Sequence, residues 1–141
     1  MKALPYLTKS GTKLLPSQII ALSSLAGSCP FPKTTIYGTT KHAIQGFFTN
    51  LARDLHSSNG YQNHVTSTLV TLGLIATDAA LSKTSKHIHW ASVSVRKTAE
   101  SILAAGIYGQ AHLFYPYSLV VLPSLYYVFN PLFKLIARLG N

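Results

Sequence analysis

Acidic residues are nearly absent from this chain. Asp54, Asp78 and Glu100 stand against twelve Lys and Arg, a formal charge of +9 over 141 residues. Three carboxylates so widely spaced argue against the paired acids of a glycosidase or an aspartic protease. Cysteine is scarcer still. Cys29 alone can form no intrachain disulfide and no Cys-based zinc cage, and it reads as a small loop residue. The excess of positive charge fits nucleic acid, an anionic membrane surface or a phosphorylated ligand. The basic residues nevertheless come in ones and twos from Lys2 to Arg138, never three in a row, so no nucleic-acid partner is expected. The opening MKALPYLTKSG lacks the apolar stretch of a signal peptide. No Asn is followed two residues on by Ser or Thr, so no N-glycosylation site is present.

What is present is apolar and punctuated. With 48% hydrophobic residues the chain is no disordered polymer, and its length suits one domain burying about 70% of its unfolded surface. Ala3, Leu4 and Leu7 read as the tail of a helix stopped at Ser10-Gly11. Gln18 to Leu22 is a continuous apolar run, as in a strand buried on both faces. A loop with Gly27, Pro30 and Pro32 follows, then a helix from about Ile36 to His56 with Ile44, Phe47, Phe48, Leu51 and Leu55 as its stripe. Asn59-Gly60 marks a turn, and HVTSTLVTL, His64 to Leu72, alternates like a strand. Strand, helix and strand in this order predict a right-handed crossover and a parallel pair. Thr77 to Trp90 is polar and is expected to be mobile. A further helix is predicted from about Ser94 to Tyr108, and a third strand at HLFY, His112 to Tyr115, ended by Pro116.

The last stretch, Leu119 to Leu139, is apolar and aromatic, with Pro123 and Pro131 expected to interrupt it. A spanning helix needs about 20 apolar residues. The segment reads instead as amphipathic, lying on a membrane surface or against a partner subunit, with Lys134 and Arg138 as a basic edge. Residues 1–117 and 118–141 are therefore treated as two parts.

Chemistry concentrates between Ser23 and Lys41. Ser24 precedes Tyr37 by thirteen residues, and Tyr37 precedes Lys41 by four, one helical turn. A tyrosine ordinarily titrates near pH 10, too high for efficient acid–base work at neutral pH. An ammonium one turn away favours the ionised phenol. A serine from the strand end can hydrogen-bond a carbonyl oxygen and hold it against the tyrosine. Such a set suits proton transfer to or from an alcohol or ketone oxygen. The carbon must then exchange a hydride, which no side chain supplies, so a nicotinamide cofactor is implied. A lone Y-x-x-x-K is also a common helix face. Ser23 is the alternative hydroxyl if the loop register differs by one. His87 and His89 form H-x-H, but with no third ligand evident a solvated loop is expected and no metal. Trp90 reads as an apolar anchor ahead of a substrate contact.

The motifs ALPYL, IIALSSLAG, YGTTKHAIQGFF and TLGLIATD together resemble the C-terminal half of the short-chain dehydrogenase/reductase family, most closely its 11-beta-hydroxysteroid dehydrogenase type 1 group. The resemblance extends to about Tyr117. It implies an α/β fold: the C-terminal part of a Rossmann-type parallel sheet, three strands with crossover helices, the N-terminal half missing. By position, Ser24 matches the family's catalytic serine, Tyr37 its acid/base, and Lys41 the lysine that also bonds the nicotinamide ribose. Ile75 (backbone) and Thr77 (hydroxyl) match contacts to the nicotinamide carboxamide or pyrophosphate, so cofactor binding falls to Tyr37, Lys41, Ile75 and Thr77. Asp78 to Trp90 would be the substrate lid.

The family's Gly-rich phosphate loop, its N-N-A-G segment, the active-site Asn and an N-terminal anchor have no counterpart in these residues. The resemblance thus implies an NADP-linked oxidoreductase (NAD not excluded) for a small lipophilic hydroxy or keto substrate, homodimeric when complete and at the endoplasmic reticulum membrane. With the N-terminal half missing, strand Gln18 to Leu22 would lose a neighbour and become an apolar edge, so this chain alone is expected to be poorly soluble, weak in cofactor binding and inactive. The alternative is a truncated, non-catalytic form acting through dimerisation or membrane association, by Phe47, Phe48 and the tail.

Overall fold

The computed structural model describes residues 2–57, 64–84 and 86–139, with 132–139 by backbone alone. The predicted turn at Asn59-Gly60 lies outside the described residues. Three strands, β1 (Ser17–Ser24), β2 (Val65–Leu72) and β3 (His112–Tyr115), form a parallel sheet in the order β1-β2-β3. Ser17 pairs with Val65, and Leu72 with Tyr115, so all three strands end at one edge. This is the Rossmann-type arrangement expected.

Helices connect the strands. α1 (Leu4–Ser10) ends at Gly11, whose N–H donates to Leu7 O. α2 (Thr35–Ser57) links β1 to β2, and α4 (Val95–Ile107) leads to β3. Each covers one face of the sheet. On one side Leu51 and Leu55 of α2 bury against Val65, with Leu4, Leu7, Ile19 and Phe48 around them. On the other, Ala105 of α4 packs with Val70 and Leu113, flanked by Ile20, Leu72, Ile102 and Tyr115. Complete burial of side chains such as Val70 and Leu113 contributes about 1.5–3 kcal/mol each.

Several expectations need correction. β1 is the apolar edge strand that the resemblance implied, and the run Gln18 to Leu22 is not buried on both faces, since Leu22 is 48% exposed. A continuous apolar run records what a strand would bury beside a second neighbour, not what it buries here. β2, read as alternating, is the central strand and is buried on both faces. Among the described residues its Thr66, Ser67 and Thr68 hydroxyls are enclosed without hydrogen-bond partners. Phe47, expected in the α2 stripe, is half exposed, edge-on to Phe48.

The polar stretch after β2 is structured. α3 (Asp78–Lys83) starts at Thr77, whose hydroxyl accepts from Ala80 N–H, and Lys86–Ala91 forms a 3-10 turn. Trp90 anchors nothing: it is 86% exposed. The two prolines do not interrupt the tail. α5 (Val121–Leu139) runs through both as one 19-residue helix. Pro123 falls in its first turn, where the missing N–H has no intrahelical partner to lose. Pro131 removes a single bond of the ladder. No helix among the described residues is long and apolar enough to cross a membrane.

Candidate functional site

The site is built where β1 ends. Ser24 is the last strand residue, in extended backbone (φ −144, ψ 159), and the chain then turns through a short 3-10 segment, Leu25–Gly27. The Ser24 hydroxyl oxygen accepts from Ala26 N–H at 3.3 Å. That bond occupies a lone pair and leaves the hydroxyl proton to donate elsewhere.

α2 begins beyond the loop and presents Tyr37 and Lys41 one turn apart. Tyr37 is half exposed. The Lys41 ammonium donates to Leu22 O at 3.1 Å, on the edge strand, and stands 5.7 Å from the centre of the Tyr37 ring. The cation is thus pinned between the end of β1 and the face of the phenol, with two of its three N–H groups left for a ligand. Ser24 and Tyr37 make no hydrogen bond with each other among the described residues. The structure therefore brings Lys41 to Tyr37 and to β1, and leaves Ser24 with its hydroxyl held by its own turn.

Gly27 allows the loop to lie against α2. A Cβ there would stand 2.7 Å from both the carbonyl carbon and oxygen of Lys41, and 2.8 Å from Gln45 Nε2. Gln45, one turn past Lys41, was not anticipated from sequence. Its side-chain nitrogen lies 3.1 Å from Ser24 O, 3.3 Å from Ser23 Oγ and 3.2 Å from Thr71 Oγ1. Thr71 Oγ1 is in turn 2.8 Å from His112 Nε2 on β3, and burial pushes the His112 imidazole pKa down from its ordinary value. The signal was the i, i+4, i+8 spacing of Tyr37, Lys41 and Gln45, which sets all three on one side of α2. Ser23, the alternative hydroxyl, is buried and donates to Lys41 O at 3.2 Å, which leaves the half-buried Ser24 as the more accessible of the pair.

The segment after β2 carries the other predicted residues. Ile75 bridges Val93, and its carbonyl accepts from Thr77 N–H. The Ile75 N–H makes no hydrogen bond among the described residues, so a backbone donor is free where a cofactor amide was expected. The Thr77 hydroxyl caps α3 by accepting, which keeps its proton available. These groups fit a nicotinamide nucleotide: an ammonium with free donors for a diol, a free backbone N–H, and a hydroxyl proton. A cleft of about 390 Å³ opens between Phe31 and the α2 residues Thr35, Gly38 and His42. It is lined by none of Ser24, Tyr37 and Lys41. His89 Nε2 bonds Thr84 O, and no cluster of metal-ligating side chains occurs among the described residues.

Residues 2–88 match the family model described as short chain dehydrogenase. The chain belongs to this family. Among the curated relatives of this short-chain dehydrogenase, a Hydroxysteroid 11-beta-dehydrogenase 1-like protein of Xenopus tropicalis is 38% identical over 115 residues, 82% of this chain and 37% of the relative. The protein of that name in Gallus gallus gives the same identity and coverage. In Danio rerio the figures are 35% over 116 residues, 82% and 38%. The chain thus spans little more than a third of the length of these relatives. A solved structure, the Pseudomonas aeruginosa RhlG/NADP active-site complex, superposes with a TM-score of 0.64 at 16% identity, covering 79% of this chain and 50% of that one. That likeness establishes the fold.

Proposed function

We propose that this chain carries the proton-transfer part of an oxidoreductase that interconverts a hydroxyl and a ketone on a lipophilic, steroid-like molecule. The observation that carries the reading is Lys41, held between Leu22 O and the Tyr37 ring at the carboxyl edge of a parallel sheet, where ligands of such sheets bind. A nicotinamide cofactor, when bound, supplies or accepts the hydride. NADP is proposed ahead of NAD on the resemblance to the steroid dehydrogenase group.

The residues divide the remaining work. In reduction Ser24 donates its free hydroxyl proton as a hydrogen bond to the ketone oxygen and orients it. Tyr37 transfers its phenolic proton to that oxygen as the carbon receives the hydride. The Lys41 ammonium stabilises the phenolate left behind, and its two free N–H groups bind the ribose hydroxyls. Ile75 N–H and the Thr77 hydroxyl hold the carboxamide end. In the reverse direction Tyr37 takes the proton back. Trp90 and Ile88, exposed on the turn that follows α3, offer apolar surface to the substrate.

The steroid-like class is supported by the names of the vertebrate relatives. A peripheral contact with the endoplasmic reticulum membrane, or with a second subunit, is supported by α5, whose Val121, Leu125, Val128 and Phe129 are exposed. The same exposed row supports the second reading, a non-catalytic chain that works by association. The test is a fusion of this chain to the N-terminal part of the Xenopus tropicalis relative, assayed with NADPH and a steroid ketone. Turnover abolished by Tyr37→Phe supports the enzymatic reading. Turnover retained by Tyr37→Phe removes Tyr37 from the role.

A further inference from the structure

Gln45 links four parts of the fold through one amide. It sits on α2, and its nitrogen faces Ser24 O, Ser23 Oγ and Thr71 Oγ1, while its oxygen accepts from Ser28 Oγ at 3.0 Å. The orientation follows from chemistry. Ser24 O can only accept, so the amide nitrogen must face it, and the amide oxygen then faces Ser28, whose hydroxyl can donate. Ser23 and Thr71 are almost wholly buried, so these bonds form away from water, where an unmade bond is expensive. Ser23 also donates to Lys41 O, which closes the loop back to α2 one turn before Gln45.

We propose that Gln45 is the positioning residue of the site: by donating to the carbonyl of Ser24 it fixes the end of β1 against the helix that carries Tyr37 and Lys41. Ser24 is the last residue of the ladder, paired with Leu72, and its neighbours Leu22 and Ser23 are tied to Lys41, so the Gln45 bond is the one that fixes Ser24's own carbonyl to α2. Its strand is an edge strand, and among the described residues its hydroxyl is held by Ala26 N–H alone. With the carbonyl tied to α2, the Ser24 hydroxyl keeps a constant place relative to two side chains on the same helix. A displacement of about 1 Å in such a group is enough to cost about a hundredfold in rate. The value of this positioning to catalysis rests on the proposed role of Ser24. The positioning itself does not.

Hydrogen exchange by NMR on this chain separates the two. The reporter is Ala26 N–H, whose acceptor is Ser24 Oγ; the reference is Leu69 N–H in the sheet, bonded to Ala111 O. Gln45→Met keeps length and loses both polar atoms. Gln45→Glu keeps shape but turns an acceptor toward Ser24 O. Both are expected to speed exchange at Ala26 roughly tenfold, the loss of about one hydrogen bond, with Leu69 unchanged. In the unmodified chain the Gln45 side-chain NH2 protons are expected to exchange at least about tenfold more slowly than those of the exposed Gln18, a readout that needs no variant. Ala26 exchanging at its original rate in either folded variant, or Gln45 protons as fast as those of Gln18, would overturn the proposal. Faster exchange at Ala26 with unchanged turnover in the fused chain would uphold the positioning and remove Ser24 from catalysis.

Discussion

Gly27→Ala is the substitution whose consequence the structure fixes most tightly. The added Cβ would stand 2.7 Å from two backbone atoms of Lys41 and 2.8 Å from Gln45 Nε2, against ordinary contacts beyond 3.4 Å. Two of the three obstacles belong to helix backbone, which cannot rotate away, so the loop must move off α2. Overpacking of this kind costs about 1–3 kcal/mol. Loss of the amide bonds from Gln45 to the end of β1 adds about 1 kcal/mol. At about 2 kcal/mol/M of urea for a small domain, a total near 2–4 kcal/mol lowers the unfolding midpoint by roughly 1–2 M. Gly46→Ala is the matched control. A Cβ there meets nothing within 4 Å, and the position is an exposed helix interior. It is expected to stabilise by about 0.5–1 kcal/mol and to raise the midpoint by a few tenths of a molar. Urea titrations followed by circular dichroism on both variants measure the pair. A Gly27→Ala midpoint equal to the original, or two shifts of the same sign, would refute the proposed closeness of loop and helix.

Further outcomes follow from single residues. Thr68 is buried with no hydroxyl partner among the described residues, so the isosteric Thr68→Val is expected to stabilise by about 1 kcal/mol, and a lower melting temperature would contradict the enclosed orphan hydroxyl. Burial pushes the His112 pKa below 6.5, so the unfolded chain binds more protons just under that value. Stability is then full above pH 6.5, declines as pH falls through it, and levels once the folded-state value is passed; His112→Gln should flatten that part of the stability profile, and an unchanged slope would refute it. The chain alone is expected to show no micromolar change in NADPH fluorescence, whereas micromolar binding would mean that Lys41, Ile75 and Thr77 suffice.

The order of elements was legible because breakers stand between strong periodic runs. Gly11 stops α1, and HLFY ends at Pro116, so β3 was read to the residue. Tyr37 and Lys41 were legible because a four-residue spacing on a helix puts two side chains on one face whatever surrounds them. The failures are of a different kind. The exposure of Leu22 was not legible in the run Gln18 to Leu22, because an apolar run looks the same at an edge as in the middle, and the edge position itself came from the resemblance. Thr77 followed by Asp78 is a helix-start pattern, but the polar residues after it carry no apolar stripe, so α3 shows in capping and not in periodicity. Gln45 was missed because a glutamine on a long helix is ordinarily a solvated residue. Only the close approach of Gly27 brings the end of β1 within its reach.

The central claim is that Tyr37 moves the proton. It is tested most directly by Tyr37→Phe in this chain fused to the N-terminal part of the Xenopus tropicalis relative, measuring NADPH oxidation with a steroid ketone and cofactor affinity side by side. General acid catalysis contributes about 10²–10⁴ in rate, so turnover is expected to fall by at least about a hundredfold with NADPH affinity largely intact, Lys41, Ile75 and Thr77 still holding the cofactor. Turnover within a few fold of the unsubstituted protein would contradict it.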